Sequence, residues 1–260
     1  MSQDELRYEV RGTTGWITLN RPQARNALTF AMYASLGEIC RTVPTDGSVK
    51  CLVITGAGEK AFAAGTDMTQ FRGFSTDQDA LDYEHSMDVV LGAVEACPLP
   101  TVAAISGACT GGGAAIAAAC DIRIATADLR FGFPIARTLG NCLSIANLSR
   151  LSSLMGPGRT KEILFTARLL GADEALSCGL VSEILADHAA LIARAEELAT
   201  LLAGHAPITL ATTKEALRRL RVEGAGANDR DLVVRAYMSE DFKEGIEAFL
   251  GKRKPAWKGR

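Results

Sequence analysis

The sequence predicts an α/β fold with parallel strands and a helical C-terminal region, and three observations carry that prediction. Short apolar runs of strand length end in glycine turns and are followed by helical patterns. The twenty residues 101–120 carry no charge and read as a buried strand, a glycine loop and a buried helix. From Asn141 onward the pattern is almost wholly helical.

The elements follow in order. Leu6–Val10 and Trp16–Asn20 read as strands, separated by turn signals at Gly12 and Gly15. Thr29 is a plausible cap for a helix running to about Val43, where Pro44 and Gly47 stop it. Cys51–Thr55 is a continuous apolar run ending in Gly56-Ala-Gly58, and a loop, Ala61–Asp67, follows. An amphipathic helix fits Gln78–Glu95 and ends before Pro98 and Pro100. Next come a strand over 101–105, the glycine loop, a helix over 112–119 and a strand over 121–126. Beyond them, His188–Leu202 places Leu191, Ile192, Ala195, Leu198 and Leu202 on one helical face. Pro207 opens a further helix, and Gly224-Ala-Gly226 interrupts before a last helical pair. An α/β core over 1–195 and a helical region over 196–260 are expected, the latter packed on the core or on a neighbouring subunit.

Composition narrows the function classes. With 48% hydrophobic and 22% charged residues, the 260-residue chain has the make-up of a soluble globular protein. A net charge of −2 argues against nucleic acid as a partner. The tail 252–260 carries five basic residues and no acid, which suits either a solvated end or an anion contact. Seven cysteines without a Cys-x-x-Cys spacing, and the charged start MSQDELRYEV, fit buried thiols in a reducing, cytoplasmic setting. The three histidines lie far apart, so no metal site is expected. Residues 101–120 are long enough to span a membrane, but four glycines and the scarcity of leucine argue against it.

The stretch Ile105–Asp121 is the most informative segment. Glycines at a helix start leave the first N–H groups bare, and the helix dipole adds partial positive charge there. Such a site suits an oxygen that becomes negative during a reaction. A catalytic side chain is expected one turn later, yet positions 114 and 115 are both alanine.

Five separated segments resemble one family. They are Asn20–Leu28, Val53–Asp67, the glycine segment itself, Gly179–Glu183 and Glu244–Lys252. Their order and spacing resemble the crotonase, or enoyl-CoA hydratase/isomerase, superfamily over about residues 6–254. The resemblance implies a spiral of ββα units with a helical C-terminal region, and homotrimers that often pair into hexamers. It also implies an acyl-CoA substrate whose thioester oxygen accepts two backbone N–H groups, here those of Thr66 and Gly112. CoA is then part of the substrate, and no separate cofactor is implied. Ala24, Arg25 and Asn26 fall where the family meets the nucleotide, and Ala64, beside Asp67, where it holds the pantetheine arm. Phe249 and Lys252 match residues that reach the adenosine and phosphates, often from an adjacent subunit. A core position is the alternative for Phe249, and Asp67 and Asp121 are expected to serve capping and loop hydrogen bonds rather than chemistry.

Hydratases of this family resemble one another in using two glutamates, at the places held here by Ala115 and Ile135. Neither side chain carries a proton, so hydration of the usual type is not expected. Other branches place an acid or base elsewhere. Cys142, in Gly140-Asn-Cys142, is a candidate if a cation such as Arg137 lowers its pKa; a buried structural thiol is the alternative. The helix before Pro100 offers Glu84, His85 and Asp88. His85 and Asp88, three apart, share a face and could form an acid–base pair, with a solvated face as the alternative. An acyl-CoA enzyme working through a stabilised thioester enolate is expected. Its rivals are a hydratase with unusual acid–base residues and a non-catalytic acyl-CoA-binding protein.

Overall fold

The computed structural model describes residues 5–260. The first four residues of the charged N-terminal start therefore lie outside the described part.

Among the described residues, nine strands form two sheets. The larger contains β1 (Leu6–Arg11), β2 (Thr14–Leu19), β3 (Cys51–Gly56), β5 (Thr101–Ile105), β7 (Ile122–Thr126) and β9 (Glu183–Leu185), adjacent in that order. Only β1 and β2 are antiparallel, as their Arg11–Thr14 turn requires. The smaller sheet is β4 (Ala61–Ala64), β6 (Ala108–Thr110) and β8 (Arg130–Gly132), all parallel. Each turn of chain contributes one strand to each sheet and then a helix. The helices are α2 (Asp77–Glu95) after β3 and β4, α3 (Gly112–Ala119) after β5 and β6, and α4 (Ile135–Thr138) with α5 (Ile145–Thr166) after β7 and β8. The result is a spiral of ββα units, the α/β class expected.

Local chemistry sets the helix ends. Thr29 caps α1 (Phe30–Thr42) by accepting from the Met32 amide at 3.3 Å. At α2, Thr76 and Asp79 form a reciprocal capping box. Gly156, at φ 77°, breaks α5 into two segments before Pro157. The large sheet buries both faces by alternation. Leu52, Ile54, Ala103 and Ile105 enter the main core. Val53, Val102, Ala104 and Ile124 meet α7 (His188–Ala203) through Leu191, Ala195, Leu198 and Ala199.

Two expectations change. The loops at 61–67 and 105–111 contain β4 and β6, and β8 precedes Pro134; these short strands pair with one another, and the Ala64 and Phe131 amides donate outside the sheet to the Arg25 and Leu170 carbonyls. The expected boundary at 195/196 falls inside α7, which packs continuously on the sheet. The helices that leave the sheet are α8 (Pro207–Glu223), α9 (Arg230–Tyr237) and α10 (Glu240–Leu250). The basic tail is not free, because Arg253 pairs with Glu244, and Lys258 and Arg260 pair with Glu240. Among the described residues, no helix is long and apolar enough to cross a membrane.

Gly113 is where α3 meets the small sheet most closely. A Cβ there would lie 2.5 Å from the Ala63 carbonyl oxygen and 2.7 Å from its Cβ. Gly113→Ala therefore forces a methyl group against Ala63 and is expected to cost about 1–3 kcal/mol. Urea unfolding measures this, and an unchanged midpoint would contradict the packing.

Candidate active site

The site is built where the loop after β4 meets the start of α3. Leu28 forms a parallel bridge with Thr66: its amide donates to the Gly65 carbonyl at 2.8 Å, and its own carbonyl accepts from the Asp67 amide at 2.8 Å. In such a bridge the middle residue's N–H points to the opposite side. The Thr66 amide is thus held in place while having no acceptor among the described residues. Gly112 is the first residue of α3, where a helix leaves its N–H unpaired, and it too lacks an acceptor among them. Gly111 before it is fixed by donating to the Gly132 carbonyl at 2.9 Å.

Both positions line one cavity of about 340 Å³. Its walls include Ala64, Met87, Leu91, Ala115, Phe133 and Ile135, and are mainly apolar. A chain of hydroxyls closes one side. The hydroxyls of Tyr33 and Thr66 are hydrogen-bonded at 2.9 Å, and those of Thr66 and Tyr83 at 3.3 Å. Tyr33 fits because Gly112 has no side chain: a Cβ there would sit 1.7 Å from the Tyr33 hydroxyl oxygen. Burial raises the pKa of both tyrosines, so both keep their protons at neutral pH.

One carboxyl lines this cavity, that of Glu84 on α2. Burial, and then the nearby Asp88 carboxylate, push its pKa above the ordinary carboxylate range, against a lowering contribution from the Ser144 backbone. Stability contributed by this group is full below the ordinary carboxylate pKa and is lost as pH rises through its raised, folded value.

A family model described as enoyl-CoA hydratase/isomerase matches residues 9–260. The chain belongs to the enoyl-CoA hydratase/isomerase family. It is 33% identical to a short-chain-enoyl-CoA hydratase of Clostridium acetobutylicum, across 98% of this chain and 97% of that protein. It is 35% identical to the carnitinyl-CoA dehydratase of Escherichia coli K12, across 99% of each. Among solved structures, an enoyl-CoA hydratase/carnithine racemase from Magnetospirillum magneticum superposes with a TM-score of 0.91 at 33% identity, covering 100% of this chain and 97% of that one.

Within this family member, the expected site residues separate into groups. Thr66, Gly112, Ala64 and Cys142 line the cavity, Cys142 being exposed rather than a buried thiol. His85 is exposed, lies outside the lining and makes no hydrogen bond to Asp88. The Asp88 carboxylate instead accepts from the Ser144 hydroxyl at 2.7 Å. The expected His85–Asp88 pair is absent because the helix turns His85 to solvent. Arg137 is exposed on α4, outside the lining, and forms no ion pair with a described residue.

Ala24 is partly buried and Arg25 exposed in a tight turn, where the Arg25 carbonyl accepts from the Ala64 amide at 3.0 Å. The Asn26 side chain is buried and donates to the Ala57 and Ala61 carbonyls at 3.0 and 2.8 Å. It therefore braces this loop against residues 57–61. Asp67 caps a short 3-10 turn through the Thr69 amide and pairs with Arg21 at 2.9 Å. Phe249 is 83% exposed, which excludes a core role, and with Lys252 it lies outside the cavity.

The sequence offers Glu84 beside His85 and Asp88 without distinguishing it from them. The signal was available: Glu84, Met87 and Leu91 fall on one helical face, and His85 is rotated off it. Asp88→Asn removes the neighbouring charge and is expected to move the Glu84 titration down towards the ordinary carboxylate range. Carbonyl-carbon NMR titration reads this, and an unmoved Glu84 would contradict the electrostatic coupling.

Proposed function

We propose that this protein acts on an acyl-CoA thioester and stabilises an enolate-like oxygen with the backbone amides of Thr66 and Gly112. The observation that carries this is the pair of acceptor-free N–H groups opening into one apolar cavity. Donors fixed in a water-poor site act strongly on charge that develops there, each being worth about 10²–10³ in rate. An enolate's negative oxygen is such a charge. Threonine at position 66 leaves the backbone donor in place and adds the hydroxyl link between Tyr33 and Tyr83.

Ala115 and Ile135 form part of the cavity wall, at the places where the resemblance implies glutamates in the family's hydratases. Loss of an acid or base costs about 10²–10⁴ per group, not strictly additively. Slow hydration is therefore the expected behaviour. Hydration with other acid–base residues is a second reading, favoured by the relatives named as hydratases. The nucleotide portion is proposed to lie over Ala24 and Arg25, with the pantetheine arm along Ala64. Phe249 and Lys252 are proposed to serve a neighbouring subunit's ligand, in a homotrimer or homohexamer in the cytoplasm. Exposed Tyr237, Met238, Phe242 and Leu250 on and beside α9 and α10 supply an apolar surface for such an assembly.

Calorimetry is expected to detect butyryl-CoA binding; none at millimolar ligand would end this proposal. Crotonyl-CoA hydration is expected to run at least about 10²-fold below an ordinary hydratase. The double variant Ala115→Glu/Ile135→Glu should gain hydration over the parent, with a melt to check the fold. Ordinary hydratase turnover by the parent would favour the second reading.

A further inference from the structure

We propose that Glu84 is the catalytic base of this cavity, and that it removes and returns the α-proton of the thioester bound there. The proposal rests on the thioester reading of Thr66 and Gly112. Glu84 lines the same cavity as those two amides, on the α2 wall. The cavity's other protic groups are poorly suited to the task. The Tyr33 and Tyr83 hydroxyls are engaged with Thr66 and keep their protons. Cys142 lines the cavity but is exposed to solvent. Asp88 lies outside the lining, where the Ser144 hydroxyl donates to it. His85 and Arg137 also lie outside the lining.

A base for a carbon acid works best when its pKa is above that of a free carboxylate, because the proton is then held more strongly. The apolar wall and the adjacent Asp88 supply that condition to Glu84. In the step, a Glu84 carboxylate oxygen takes the α-proton. The C–H electron pair becomes a double bond between the α-carbon and the thioester carbon, and the carbonyl π pair moves to oxygen. The oxygen is held by the Thr66 and Gly112 amides. Return of the proton to the α-carbon restores the substrate. Return to the γ-carbon of a β,γ-unsaturated chain instead moves the double bond into conjugation. Neither route consumes water or an oxidant. One carboxyl suffices for a proton shift, whereas hydration needs help at two positions. The favoured substrate class is thus a β,γ-unsaturated acyl thioester.

The test uses the full chain with 3-butenoyl-CoA in D2O, following deuterium at the α- and γ-carbons by mass spectrometry and NMR. Wild type is expected to exchange the α-position. Glu84→Gln is expected to bind butyryl-CoA as wild type does but to exchange at least about 10²-fold more slowly. Glu84→Asp, which keeps the charge but shortens the reach, is expected to fall between them. A wild-type exchange rate in Glu84→Gln, shown folded by its thermal melt, overturns the role of Glu84 and leaves the thioester reading standing. A wild type that binds butyryl-CoA yet exchanges nothing overturns the enolate reading as well. Absence of thioester binding overturns both at their root.

Discussion

The close approach of α3 to the loop after β4 is the constraint on which the rest of this molecule depends. It requires that Gly112 and Gly113 carry no side chain, since the Tyr33 hydroxyl and the Ala63 backbone occupy those volumes. Given that contact, Tyr33 reaches Thr66, Thr66 reaches Tyr83, and the cavity acquires a fixed polar edge. Leu28 then holds the Thr66 loop from behind, bonding to residues 65 and 67 and leaving the Thr66 amide, at a residue that lines the cavity, without an acceptor among the described residues. The two sheets follow from the same need. The three short parallel strands exist to bring each loop of the spiral to this place, and the six-stranded sheet supports them from its core face.

An apolar cavity changes what its few polar groups do. A buried amide without an acceptor costs about 1–3 kcal/mol, a penalty that folds accept mainly at functional sites. The same low polarity that imposes the cost strengthens the amides' interaction with a negative oxygen. It also explains why Glu84 differs from the surface glutamates. Glu244, paired with Arg253 and accepting from the Ala256 amide, is held down at about 2, whereas burial raises Glu84. Two glutamates of one chain are thus driven in opposite directions by their surroundings.

Much of this was legible in the sequence, and the parts that were not have physical causes. The Thr29 cap and the 112–119 helix are local features, and both stand at the expected residues. β4, β6 and β8 were not visible because each has only three or four residues embedded in glycine-rich loops. No alternation develops over that length, and their hydrogen bonds connect segments tens of residues apart. Thr66, Gly112, Ala115 and Ile135 were placed by resemblance, and they meet in one cavity. His85 has the chemistry of an acid–base group, but helical phase turns it to solvent. The role of the Asn26 amide as a brace was invisible, because its acceptors lie 31 and 35 residues away.

The central claim is that two backbone amides polarise a bound thioester carbonyl, and vibrational spectroscopy of that carbonyl reads it without requiring turnover. Butyryl-CoA labelled with carbon-13 at the thioester carbon would be bound to the protein and its carbonyl band obtained by isotope-edited infrared difference. The account predicts a band displaced to lower frequency than that of the same thioester free in water, because two fixed donors exceed what solvent provides. A band at or above the solution frequency would place the carbonyl away from Thr66 and Gly112 and would contradict the account.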